Sequence, residues 1–284
     1  MRGASKVWSE VEQAGDRSAR RPWVRTLVRA GYVAKGAVYA VIGVLALRLA
    51  IGAGGRTTDS TGAIATIAQA PLGVALVAAL AVGLFGMALW FEVQAVADPD
   101  GERRRGAWAI LSRLGHGIAG LGYASLALAA VRLASGGGAR PGGDATARTW
   151  TARALELPAG RALVFAGGAV VIFVGARQIW SGVGRRFLKH VELARAGPLL
   201  RRWAVRLGAA GFTVQGTVFL LVGLFFAQAA FERDPREATG LDGALETLAR
   251  QPFGAAFLGA AALGLLAYAA FALVEGRYRR IGGR

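Results

Sequence analysis

The sequence predicts an all-α integral membrane protein: a six-helix bundle built from three parallel two-helix repeats, pseudo-threefold about the membrane normal. Three observations carry this reading. The 284-residue chain is 54% apolar and only 18% charged, where soluble domains carry about a quarter charged residues, and its apolar residues are gathered into six long runs. Its basic residues gather on alternate connections between those runs. One two-helix pattern recurs three times along the chain.

The runs lie at residues 31–52, 72–97, 115–134, 160–180, 207–231 and 252–275. Each has the length of about 20 residues that a helix needs to cross ~30 Å of hydrocarbon. They are apolar around most of their circumference, unlike the one-sided helices of soluble domains, and they lack the strict alternation of a membrane barrel. The first run is too long for a secretory signal and no clear small-x-small cleavage site follows it, so it reads as a retained helix.

Between the runs, two short segments show helical spacing. Ile64, Ile67 and Ala68 follow Asp59 or Ser60 as candidate cap, and Leu241, Leu245 and Leu248 follow Thr239. Pro71 and Pro252 end them and open the next run. Both read as interfacial helices on the outer surface, and Trp150 in the middle copy reads as a headgroup-level anchor.

The charge sets the orientation. Of 34 Lys and Arg, 22 fall in the N-terminal stretch to Arg29, the connections before the third and fifth runs, and the C-terminus; seven fall on the other three connections. The positive-inside rule then places both termini in the cytoplasm of a cell (inner) membrane. The net charge of +17 is thus chiefly an orientation signal. Clusters such as Arg103, Arg104 and Arg105 carry no interleaved stacking aromatics, which argues against nucleic acid and for contact with the lipid bilayer through anionic headgroups.

The repeat is visible by eye. RAGYVAKGAVYAVIGVLALRL from Arg29 aligns without gaps to RLGHGIAGLGYASLALAAVRL from Arg113, and GFTVQGTVFLLVG from Gly211 gives a third copy. Gly31, Gly115 and Gly211 correspond, as do Gly36, Gly120 and Gly216, and Gly43 and Gly223; they are read as packing positions where helices approach closely in lipid. TGAIATIAQAPLG (from Thr61) answers LDGALETLARQPFG (from Leu241), with a fainter LELPAG (from Leu155) between. Two spans per unit keep all units parallel. The chain divides into a basic tail (1–26) and repeats at 27–100, 111–184 and 203–280. The copies, each with a G-[YHF]-x-x-[KAQ]-G-x-x-[YF] start, resemble the bacterial polytopic membrane family known as domain of unknown function 1206. The resemblance implies a bacterial inner-membrane protein and brings no catalytic or binding residues with it. The middle copy departs most, since its outer motif is almost erased between Gly136 and Pro158.

Little in the sequence points to catalysis. The chain has no Cys and two His, which excludes thiolate chemistry and leaves little for a metal or haem. GHGIAG at Gly115 matches dinucleotide-loop spacing but lies inside an apolar run with no strand before it. No enzyme activity, cofactor or metal is expected. The sharper signal is polar residues within the runs, since such groups are costly in lipid and face partners or cavities. Lys35, Glu92, Gln94, His116, Arg177, Gln178, Gln215 and Glu275 all fall toward the predicted cytoplasmic side. Pairing of Lys35, Glu92, Arg177 and Glu275 across helices makes them a structural lock, and an open arrangement makes them a solute mouth. His116 occupies the position of Tyr32 and Phe212 and reads as an aromatic packing site. Two functions follow as expectations: a non-enzymatic scaffold or component binding a membrane or cytoplasmic protein partner, or a small-solute or ion transporter with a site near the axis. Tyr39, Tyr123 and Phe219 filling the centre favours the first.

Overall fold

The computed structural model describes residues 22–97, 107–138 and 142–279, so most of the basic tail and the Arg103–Arg105 cluster lie outside the described residues. Nine α-helices follow in chain order among the described residues: α1 (Pro22–Ala50), α2 (Ser60–Ala68), α3 (Gly73–Ala97), α4 (Ala107–Ala134), α5 (Gly143–Leu155), α6 (Gly160–Val183), α7 (Pro198–Glu232), α8 (Leu241–Arg250) and α9 (Gly254–Tyr278). The described residues form no strand beyond one bridge between Val191 and Arg279. Six helices, α1, α3, α4, α6, α7 and α9, are long and apolar enough to cross a membrane, and the short helices α2, α5 and α8 join the two spans of each repeat.

The first helix of every repeat begins earlier than its apolar run, at Pro22, Ala107 and Pro198 instead of residues 31, 115 and 207. Arginine is nearly as good a helix former as leucine, and a proline suits the opening turn of α1 and α7. Arg25 and Arg29 of α1, Arg113 of α4 and Arg201, Arg202 and Arg206 of α7 therefore stand on helix that continues the spans. With 35 residues, α7 is about 52 Å long at 1.5 Å per residue, far more than hydrocarbon requires. The middle short helix is a second correction. Where the repeat motif is almost erased, α5 forms with 13 residues, longer than α2 and α8.

Around the bundle the spans contact in the order α4, α3, α1, α9, α7, α6. Neighbouring repeats join the second span of one to the first of the next: α3 on α4, α6 on α7, α9 on α1. The repeat glycines make these joints. A Cβ on Gly36 would lie 3.1 Å from the Ala269 carbonyl, one on Gly216 would lie 2.6 Å from the Gly175 carbonyl, and one on Gly120 would meet the Glu92 carboxyl. Gly43 and Gly223 repeat the contact two turns on, against Leu266 and Ile172. Without a solvent-driven force between helices in lipid, close backbone approach of this kind is what holds spans together.

Within repeats the pattern breaks once. The α1–α3 and α7–α9 pairs pack, whereas α4 and α6 make no comparable interface. A Cβ on Gly31 would lie 2.9 Å from the Gly83 carbonyl, and one on Gly211 would lie 2.5 Å from Tyr268 Cα, but at Gly115 nothing lies within 4 Å. The second spans agree. Gly83 and Gly264 stand ten residues after Gly73 and Gly254, where Gly160 is followed at that distance by Val170, an exposed residue. Instead α6 rides on α7 through Gly168, Gly175 and Gly182. The ring is therefore threefold in plan with one seam, inside the middle repeat. The central apolar cluster, with Ile42, Leu84, Leu258 and Leu265 essentially fully buried, draws on α1, α3, α4, α7 and α9 and on the short helices α2 and α8, whose Ile64 and Leu245 are fully buried in it, so these two plug one end of the core where the sequence suggested helices lying on the surface.

Candidate functional site

Two polar groupings lie along the bundle, one among the spans and one beneath the short helices. The first centres on Tyr39 of α1 and Tyr268 of α9, whose rings meet edge to face at 4.9 Å. Gln215 of α7 is 4% exposed, and its Nε2 donates to the Tyr39 hydroxyl at 2.6 Å. Its Oε1 is buried without a donor. Lys35 sits one turn before Tyr39, with Nζ 4.6 Å from the centre of the Tyr268 ring, a cation–π geometry. Tyr123 of α4 packs against both the central cluster and the Tyr32–Trp90 cluster and stacks on Phe91 at 5.4 Å.

Of the residues singled out in the sequence, Lys35 and Gln215 thus meet around Tyr268, at equivalent positions of repeats one and three. Glu275 is 4% exposed and pairs with Arg279 at 3.3 Å, one helical turn along the chain, and the Arg279 guanidinium lies 4.8 Å from the Tyr32 ring. Among the described residues no carboxylate pairs with Lys35. Glu92 is exposed and lies against Gly120. Arg177 is exposed on α6, away from the central cluster, and Gln178 has a buried, unpartnered Oε1. Gln94 is 6% exposed. His116 faces Phe91 with ring centres 6.0 Å apart. The expected four-residue lock across helices is replaced by one local pair, Glu275 with Arg279, and a lysine held by aromatic rings.

The repeat alignment does not bring out the second grouping. The first turns of α2, α5 and α8 converge, and each brings one aspartate. Asp59 caps its own helix, Oδ1 accepting from Gly62 N at 2.9 Å. Asp144 caps the helix of the next repeat, its Oδ1 accepting from Gly240 N at 2.6 Å and Gly243 N at 3.2 Å. The expected Thr239 cap is absent: Gly240 holds the N-cap position, with no side-chain cap of its own. A Cβ on Gly143 would stand 3.0 Å from Asp59 Oδ2 and 3.3 Å from Asp242 Oδ1, so the carboxylates of Asp59, Asp144 and Asp242 share one space. Burial, then the neighbouring Asp144 and Asp59, push the Asp242 carboxyl up to about 7. Its Oδ1 is buried without a hydrogen-bond partner. Among the described residues no such cluster has the arrangement of a metal site; backbone N–H groups of the α2 and α8 first turns face the charge of this one. An aspartate in the opening turn of every short segment was the available signal, obscured because the middle copy lacks the repeat motif.

Comparison with known proteins agrees with this three-unit plan. The sequence matches the family described as Domain of Unknown Function (DUF1206) over residues 30–98, 114–185 and 210–279. A protein of Bacillus subtilis (strain 168) named "Uncharacterized protein YxxB" is 34% identical over 263 residues, covering 92% of this chain and 93% of the relative. No solved structure matches.

Proposed function

The chain belongs to the DUF1206 family, which leaves its activity to be argued from its own residues, and we propose that it is a non-enzymatic scaffold or partner-binding component of a bacterial cytoplasmic membrane. The observation that carries the reading is the filled centre. Tyr39, Tyr268 and Gln215 are locked together by a hydrogen bond and an edge-to-face contact, Ile42 and Leu265 are fully buried beyond them, and the aspartate trio with three helix starts lies over the opposite end. A conduit needs polar backing along its length, and this stack turns apolar past Tyr39 and Gln215. The basic face, with both termini, is assigned to the cytoplasm by the positive-inside bias, where its arginines meet anionic headgroups and an acidic protein partner.

A transport reading has two observations in its favour: Lys35 without a carboxylate among the described residues and the donorless Gln215 Oε1 are polar groups a solute could satisfy. A flux assay in liposomes across cations, anions, amino acids and sugars separates the two. The scaffold reading expects leakage no faster than in protein-free vesicles for every solute. Saturable flux of one solute, abolished by Lys35→Met, would establish transport instead.

A further inference from the structure

On the basic face the connection between α6 and α7 is folded down against the bundle. Phe187, Val191 and Leu193 are buried and pack with Phe271 and Phe212, Phe187 stacking on Phe212 at 5.3 Å. Glu192 N donates to the Tyr278 carbonyl at 2.8 Å. This fixed wall, with the first turns of α7, borders an open surface cavity of about 580 Å³ whose lining includes Leu193, Pro198 and the exposed side chains of Arg185, Arg201, Arg202 and Arg206. No acidic residue lines it, and among the described residues none of the four arginines pairs with a carboxylate. Four guanidiniums around one open cavity concentrate positive charge that an anion seated between them would neutralise. Arg185 is moreover held in the left-handed region at φ 53°, a conformation that costs a non-glycine residue and persists where the surroundings impose it.

The rim gives the rest of the ligand. Trp180 and Trp203 are 63% and 51% exposed, and Val183 and Leu199 are exposed beside them; Arg186 lies over the Trp180 ring at 5.0 Å and Arg206 over the Trp203 ring at 5.8 Å. Exposed tryptophans stacked with arginine mark the headgroup level of a bilayer. We propose that this cavity binds the phosphate of an anionic phospholipid, with guanidiniums gripping phosphate oxygens and the acyl chains running down the Trp180–Val183 side. This sharpens the general headgroup contact proposed above into one built site, and it does not depend on whether the centre of the bundle is closed.

The test is native mass spectrometry of the intact, detergent-solubilised chain titrated with phosphatidylglycerol, phosphatidylcholine or inorganic pyrophosphate. Phosphatidylglycerol is expected to remain bound where phosphatidylcholine does not. Arg201→Gln with Arg202→Gln should weaken it by about tenfold or more, Arg201→Lys with Arg202→Lys by less, since lysine keeps the charge but loses the fork. Arg29→Gln with Arg277→Gln, equal in charge but off the cavity, should leave it within about twofold. Equal loss in both double variants overturns the site and leaves only diffuse headgroup attraction. Absence of phosphatidylglycerol binding in the unsubstituted chain overturns both. Pyrophosphate binding more tightly, with the same dependence on Arg201 and Arg202, overturns the lipid and assigns the cavity to a soluble phosphate.

Discussion

Gly31, Gly115 and Gly211 hold one position of the repeat and meet three different environments: the Gly83 carbonyl, open space, and the Tyr268 backbone. Their equivalence was legible in the sequence, but the difference between them was not, because it depends on where α6 goes. Gly31→Ala and Gly211→Ala should each lower stability by about 1–3 kcal/mol by forcing helices apart, while Gly115→Ala should be neutral or slightly stabilising through helix propensity; thermal unfolding in one detergent checks all three. Asp242 gives a pH prediction. Its folded value of about 7 lies above the ordinary 3.8, so the native state holds a proton that the unfolded chain has released. Its stabilising contribution is full below about pH 4 and is lost as pH rises through 7. Thermal stability should fall over that window in the unsubstituted protein, and the fall should flatten in Asp242→Asn. Lys35 was legible as unusual because a cation in an apolar run is costly. Its partner was not legible, because an aromatic face leaves no charge pattern to read.

At the scale of elements, the spans were legible because an apolar run of about twenty residues matches the thickness of hydrocarbon and exceeds what a soluble core usually asks of a helix. Their starts were not, because arginine-rich turns continue a helix as readily as they form a loop. The short helices α2 and α8 were legible from their spacing and their prolines. The middle one, α5, was hidden, because its apolar stripe is thin and its anchor is Asp144 reaching into the next repeat, a contact between residues 96 and 99 positions apart. The closing glycines of the three short segments share one cause: a Cβ on Gly73, Gly160 or Gly254 would strike the carbonyl of Ala68, Ala154 or Ala249 in the preceding helix. The attachment of α6 is the element-scale prediction. Gly175 lies against the Gly216 carbonyl, whereas Gly167 has nothing within 4 Å. Gly175→Leu should destabilise by about 2 kcal/mol or more and loosen α6 from α7, while Gly167→Leu should be tolerated; limited proteolysis at the α6–α7 connection reads the difference.

For the whole molecule, an apolar, strongly basic chain resolves into a three-repeat helical bundle. The filled centre joins the separate observations: Tyr39, Gln215 and Tyr268 close it, Ile42 and Val218 are buried in its apolar cluster, and the seam lies at the periphery, between α4 and α6. The chain has no cysteine, so single cysteines report without background. Reaction of Ile42→Cys and Val218→Cys with a small, water-soluble methanethiosulfonate, compared with Arg56→Cys on the exposed α1–α2 connection, tests the claim most directly. A filled centre predicts modification on the order of a hundredfold slower at residues 42 and 218, since water does not reach them. Rates at either position comparable to residue 56 would mean an aqueous path along the axis and would contradict the account.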